Sequence, residues 1–132
     1  MKGTLSVVAT PIGNLADVTF RAIETLKQAD AIACEDTRVT SKLLARYDIQ
    51  KPLLVYHAHS GALATTRVLQ LLGEGKRVAL VTDAGTPGIS DPGTELVRQV
   101  RDRLGDAVEI EAIPGPSALG AALSIAGRAT HE

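Results

Sequence analysis

The chain has 132 residues, 45% of them hydrophobic, and a formal net charge of −1. One domain of this size buries roughly two-thirds of its unfolded surface. Two Tyr, one Phe and no Trp make an aliphatic core with few platforms for stacking bases, and the near-neutral charge argues against a strongly basic nucleic-acid footprint. Cys34 is the single cysteine, which excludes an internal disulfide and a cysteine zinc site. No apolar run reaches the ~18 residues of a membrane span. Met1-Lys2-Gly3-Thr4 lacks a signal-peptide core, so the expected compartment is the cytoplasm.

Strand-like and helix-like segments alternate along the chain. Leu5–Ala9 is short, apolar and β-branched. Asp17–Ala29 carries Val18, Ala22, Ile23, Leu26 and Ala29 at helical spacing. Ala31–Cys34 is a short buried run, and Thr40–Tyr47 is helical with Leu43 and Leu44 inward. Leu53–Tyr56 is a strand, and Leu63–Leu72 a helix stopped by Gly73 and Gly75. Val78–Thr82 is the fourth strand. A helix over Thr94–Val100 follows, with Asp91 as a cap and Pro92 in its first turn. Val108–Ile113 is the fifth strand, and Pro114-Gly115-Pro116-Ser117 opens a last helix over Ala118–Ala126. The strands read as continuous rather than alternating. The expected fold is therefore α/β: a single three-layer domain with a mostly parallel five-stranded sheet and helices on both faces.

Four loops that follow strands carry unusual residues, and a parallel sheet puts all four on one edge. The most constrained is Asp83-Ala84-Gly85-Thr86-Pro87-Gly88-Ile89-Ser90-Asp91-Pro92-Gly93. Its Gly residues allow close backbone approach to a ligand and its Pro residues stiffen it. Thr10-Pro11-Ile12-Gly13-Asn14-Leu15 lacks the dinucleotide fingerprint, and no loop is a phosphate-binding Gly-rich loop ending in Lys and Ser or Thr. That points away from NAD and ATP. Glu35-Asp36-Thr37-Arg38 reads plainly as solvated charge with Asp36 or Thr37 capping a helix. Two carboxylates at a strand end also orient a hydroxyl or hold a cationic group. Arg38, Lys42 and Arg46 lie four apart, a basic stripe that is either a solvated helix face or a phosphate contact. His57 and His59 lack a third residue at metal-ligand spacing, so no metal is expected. Pro-Gly-Pro before a helix exposes backbone amides at a positive dipole end.

Taken together, Ala9–Leu15, Glu35–Arg38, Asp83–Gly93 and Pro114-Gly115-Pro116-Ser117-Ala118-Leu119 resemble the ribosomal RNA small-subunit methyltransferase I family, which belongs to the tetrapyrrole methylase fold class. The eleven-residue loop is the specific part of the match; Pro-Gly-Pro-Ser is shared more widely. The resemblance implies an S-adenosylmethionine-dependent methyltransferase acting on the 2′-hydroxyl of a cytidine in the decoding region of 16S rRNA, with a homodimer as the usual assembly. Carried over by position, Asp83, Ala84, Gly85, Thr86, Pro87, Gly88, Ile89, Asp91, Gly115, Pro116, Ser117 and Ala118 hold the cofactor. Thr10, Pro11, Gly13 and Asn14 face the acceptor together with Arg38, Lys42 and Arg46, and Glu35 or Asp36 is the candidate base.

In the resembled family a second α/β domain follows the first. The expectation is thus an N-terminal domain over residues 1–127, a short start of the interdomain connection over 128–132, and no C-terminal domain: one wall of a cleft, inactive alone. Two other readings stand beside it. One is a methylase of a tetrapyrrole-like small molecule on the same fold; the other is a non-catalytic assembly or dimerisation module.

Overall fold

The computed structural model describes residues 2–11, 14–56, 61–83 and 91–115. Among these, five strands alternate with four α-helices: β1 Gly3–Thr10, α1 Phe20–Gln28, β2 Ala31–Cys34, α2 Thr37–Arg46, β3 Leu53–Val55, α3 Gly61–Gly73, β4 Arg77–Asp83, α4 Asp91–Leu104 and β5 Val108–Ile113. The strands form one sheet in the order β3-β2-β4-β1-β5, and every neighbouring pair is parallel. The α/β expectation holds for the described residues; the last predicted helix, 118–126, lies outside them.

Two apolar layers sandwich the sheet. On one face Leu5, Ala31, Ala33, Val78, Leu80 and Val108 meet Ala64, Val68, Leu71 and Leu72 of α3 and Leu96 and Val100 of α4. On the other, Val8, Ile32, Ala79 and Ile113 meet Ala22, Ile23 and Leu26 of α1 and Leu43 and Leu44 of α2. Successive strand residues point to opposite faces, and both faces are covered, which is why the strands read as unbroken apolar runs.

Helix ends are locally encoded. Thr19 caps α1: its Oγ1 accepts from the Ala22 N–H at 3.1 Å. This divides the predicted Asp17–Ala29 helix into a short 3-10 turn, Leu15–Asp17, and α1, with Val18 extended between them. The end of α2 is a Schellman turn. There the Ile49 N–H donates to the Leu44 carbonyl at 2.8 Å and the Asp48 N–H to that of Ala45 at 3.3 Å, with Asp48 in the left-handed region at φ 55°. The end of α3 repeats it with glycine: Lys76 N–H to Leu71 O at 3.0 Å and Gly75 N–H to Leu72 O at 3.1 Å, at a Gly75 φ of 82°.

Candidate active site at the carboxyl edge of the sheet

The connections from β1 and β2 move toward β3, whereas those from β3 and β4 move toward β5. Right-handed crossovers therefore put α1 and α2 on one face and α3 and α4 on the other, as the two apolar layers record. The adjacent strands β1 and β4 thus send their following segments to opposite faces. This topology puts the ligand crevice of an open α/β sheet where they part. Its floor is the last register pair of the two strands, Thr10 and Asp83.

Side-chain hydroxyls tie these strands together beside the ladder. Thr10, 3% exposed, donates through Oγ1 to the Thr82 carbonyl at 3.0 Å, and the Thr82 hydroxyl donates to the Val8 carbonyl at 3.4 Å. Pro11 is buried and Asn14 exposed; the Asn14 Oδ1 accepts from the Ala16 N–H at 3.0 Å and starts the 3-10 turn. The Tyr47 hydroxyl at the end of α2 donates to the Leu15 carbonyl at 2.8 Å, anchoring the segment that leads into α1.

On the other side of β1, β5 runs to Ile113, in register with Val8, and Gly115 follows two residues on. A Cβ on Gly115 would stand 2.7 Å from the Ala9 carbonyl oxygen and 3.1 Å from the Ala9 Cβ. Only glycine lets the backbone lie this close to β1. Three of the predicted ligand loops therefore start from neighbouring strand ends: after Thr10, after Asp83 and at Gly115. Of the residues assigned to the cofactor, Ala84, Gly85, Thr86, Pro87, Gly88 and Ile89 lie outside the described residues, as do Pro116, Ser117 and Ala118. Gly13 and the pair His57 and His59 lie outside them too. Asp91 is the first residue of α4.

The fourth loop rises from β2, on the far side of β4. Asp36 has extended backbone and caps α2, its Oδ1 accepting from the Arg38 N–H at 2.9 Å. Its carboxylate also meets the Arg38 guanidinium, with Nη2 to Oδ2 at 3.4 Å. The Arg38 backbone N–H, then its side chain, hold the Asp36 carboxyl below the usual carboxylate range, which makes it a weaker base. Glu35 is exposed and has no side-chain hydrogen bond to a described residue. Cys34 is buried; burial pushes its thiol up, with a Thr40 hydrogen bond opposing and the Asp36 charge adding. A thiol held protonated is not a nucleophile.

Along α2, Thr40, Leu43 and Leu44 turn inward while Arg38, Lys42 and Arg46 are exposed. Arg38 is tied to Asp36; among the described residues Lys42 and Arg46 have no ion-pair partner. α2 itself contains no carboxylate. The Thr10–Thr82 bond and the Tyr47 anchor escape a reading of the sequence, because each depends on pairing between segments 32 or more residues apart. The Asp36 cap is legible in the Asp-Thr pair that precedes the apolar spacing.

The strand ends at Thr10, Asp83 and Gly115 thus lie side by side at the carboxyl edge of the sheet. The family model for tetrapyrrole (corrin/porphyrin) methylases matches residues 4–132; members of that family take their methyl group from S-adenosylmethionine. A ribosomal RNA small subunit methyltransferase I from Halalkalibacterium halodurans is 52% identical over 131 residues, 99% of this chain and 44% of the relative. One from Synechocystis sp. is 53% identical over 131 residues, 98% of this chain and 46% of the relative. The chain thus spans under half the length of these relatives. Among solved structures, a cobalt precorrin-4 methyltransferase superposes with a TM-score of 0.70 at 23% identity, over 96% of this chain and 51% of that one. The chain belongs to the tetrapyrrole (corrin/porphyrin) methylase family, and it is similar to the N-terminal part of the ribosomal RNA small subunit methyltransferase I relatives.

Proposed function

We propose that this chain supplies the cofactor wall and the acceptor-facing edge of an S-adenosylmethionine-dependent methyltransferase. The acceptor is the 2′-hydroxyl of a cytidine in the decoding region of 16S rRNA, within the small ribosomal subunit. The observation that carries this reading is the meeting of Thr10, Asp83 and Gly115 at adjacent strand ends, in a chain about half identical to rRNA small subunit methyltransferases. The structural neighbours named for tetrapyrrole substrates are under 25% identical and speak for the fold alone.

The cofactor, when bound, supplies a methyl group on sulfonium, which is already electrophilic. The protein's main task is alignment, and positioning of reactants is worth several kcal/mol or more. In this reading Asp83–Asp91 and Gly115–Ala118 hold the cofactor, and Thr10–Asn14 shapes the acceptor side. Glu35 accepts the proton that the ribose hydroxyl loses, since a ribose hydroxyl is a poor nucleophile until a base takes its proton. Asp36 holds Arg38 and the start of α2 in place. Lys42 and Arg46, with Arg38, meet phosphates.

The two relatives described above are more than twice as long as this chain, so the opposite wall of the cleft comes from the remainder of such a protein, which works as a cytoplasmic homodimer. Alone, the chain binds S-adenosylmethionine weakly and does not methylate RNA. The test is methyl transfer from labelled cofactor to small-subunit particles, by this chain and by a version carrying the next ~150 residues, a typical domain length. Activity in the longer form only is the expected result. Label transfer by neither form, or tight cofactor binding by the 132-residue chain, overturns the reading.

A further inference from the structure

We infer that Phe20 is a nucleobase-stacking platform, placed beside the acceptor edge to orient the RNA strand; this rests on the RNA reading above. The chain has three aromatic residues. Tyr56 is buried, and Tyr47 is half-buried with its hydroxyl committed to the Leu15 carbonyl. Phe20 alone stands open, 88% exposed.

Nothing in the helix itself requires a ring there. Phe20 is the first residue of α1, directly after the Thr19 cap. The apolar staple that fixes such a helix start pairs the residue before the cap with the fourth helical residue. Here those are Val18 and Ile23, both in the apolar layer of that face. Ala22, Ile23 and Leu26 form the buried side of α1, and Phe20 does not join them. Leaving a Phe side chain in water forgoes about 1.5–3 kcal/mol of burial. A ring left open at this position is available for a contact with a ligand.

Its surroundings favour RNA. α1 runs back from the carboxyl edge, so its first residue faces the edge at which Thr10 and Asp83 meet. Arg21 beside it is exposed. α2 covers the same face of the sheet and presents Arg38, Lys42 and Arg46 without a carboxylate of its own. Phosphate-binding cations on the same face as a flat apolar ring suit single-stranded RNA, which is held with unpaired bases stacked on aromatic side chains. A second copy of the chain is the poorer fit. One Phe contributes at most ~250 Å², against the ~800 Å² that each partner buries in a stable interface. Among the described residues the other large exposed apolar ones are Val39 on α2, which shares this face, and Val55 on β3 and Leu63 on α3.

The chain has no Trp, so Phe20→Trp installs a single fluorescent reporter. It is titrated with a short single-stranded oligoribonucleotide containing cytidine, and with an abasic ribose-phosphate oligomer of equal length. Circular dichroism checks the fold of each variant. Emission quenched by the oligoribonucleotide but not by the abasic oligomer is expected. Phe20→Ala and Phe20→Leu should weaken RNA binding about tenfold, the scale of losing one stacked base, with the salt dependence unchanged; Phe20→Tyr should retain affinity. Equal affinity in wild type and Phe20→Leu overturns the stacking role and leaves the RNA reading intact. An emission shift that follows protein concentration without RNA also overturns it, in favour of self-association. Failure of the longer form, without substitution, to bind RNA overturns both.

Discussion

Thr10 and Asp83 are the last residues that β1 and β4 pair, and beyond them the two segments leave for opposite faces of the sheet. The Thr10 hydroxyl reaches back to the Thr82 carbonyl at 3.0 Å, so the mouth of the crevice is held by a side chain as well as by the ladder. Thr10→Val keeps the shape and deletes the donor. It is expected to cost about 1 kcal/mol of stability, the net value of such a bond, as read from urea unfolding at unchanged m-value.

Gly115→Ala should be more damaging than its size suggests. The new methyl would lie 2.7 Å from the Ala9 carbonyl oxygen, a backbone atom with little room to yield. Overpacking of this kind costs typically 1–3 kcal/mol. Displacing the end of β5 from β1 should also reduce cofactor affinity in the longer form by more than tenfold in calorimetry. Unchanged cofactor affinity would separate Gly115 from the binding edge.

The two Schellman turns offer a control remote from the site. Gly75 and Asp48 occupy equivalent left-handed positions, yet an L side chain there is strained and a carboxylate opposes the helix dipole. Asp48→Gly should raise stability by about 0.5–1 kcal/mol and the thermal midpoint by a few degrees, with no effect on RNA or cofactor binding.

Among the described residues, Asp36 and Cys34 are the shifted groups and bracket the pH range. Asp36 is depressed in the folded state, so its contribution is present above the unfolded carboxylate value of about 3.9 and fades as pH falls through the lower folded value. Asn caps about as well as Asp, so Asp36→Asn should remove that acid dependence while α2 persists. Cys34 is raised, so its contribution is complete below the unfolded thiol value of about 8.5 and is lost as pH rises toward the folded value. Cys34→Ala should flatten the alkaline limb of a stability-against-pH curve.

Reversing charge at Arg38, Lys42 and Arg46 in the longer form should weaken RNA binding and flatten its salt dependence, because released counterions scale with phosphate contacts. Unchanged affinity and slope would make the stripe a solvated helix face.

How far the chain could be read without its structure differs between elements. β2 and β5 have the bounds that their apolar runs suggest. α2 begins three residues before its apolar spacing, because Asp36 caps a first turn of Thr37, Arg38 and Val39 that buries little. α4 runs to Leu104 through the exposed Arg101, Asp102 and Arg103, which carry no apolar signal. Strand order was not legible: the pairing of β1 with β4 joins residues about seventy positions apart, and no local pattern encodes it. The candidate site reads from the sequence as unusual loops, and the adjacency of the strand ends from which three of them leave follows from that order.

Nucleoside analysis of small-subunit rRNA, after reaction with the longer form and methyl-labelled S-adenosylmethionine, identifies the acceptor atom. Label recovered as 2′-O-methylcytidine, and reduced at least a hundredfold by Glu35→Gln, the scale of losing a general base, is the expected result. Label on a base, or none in rRNA, would contradict the account.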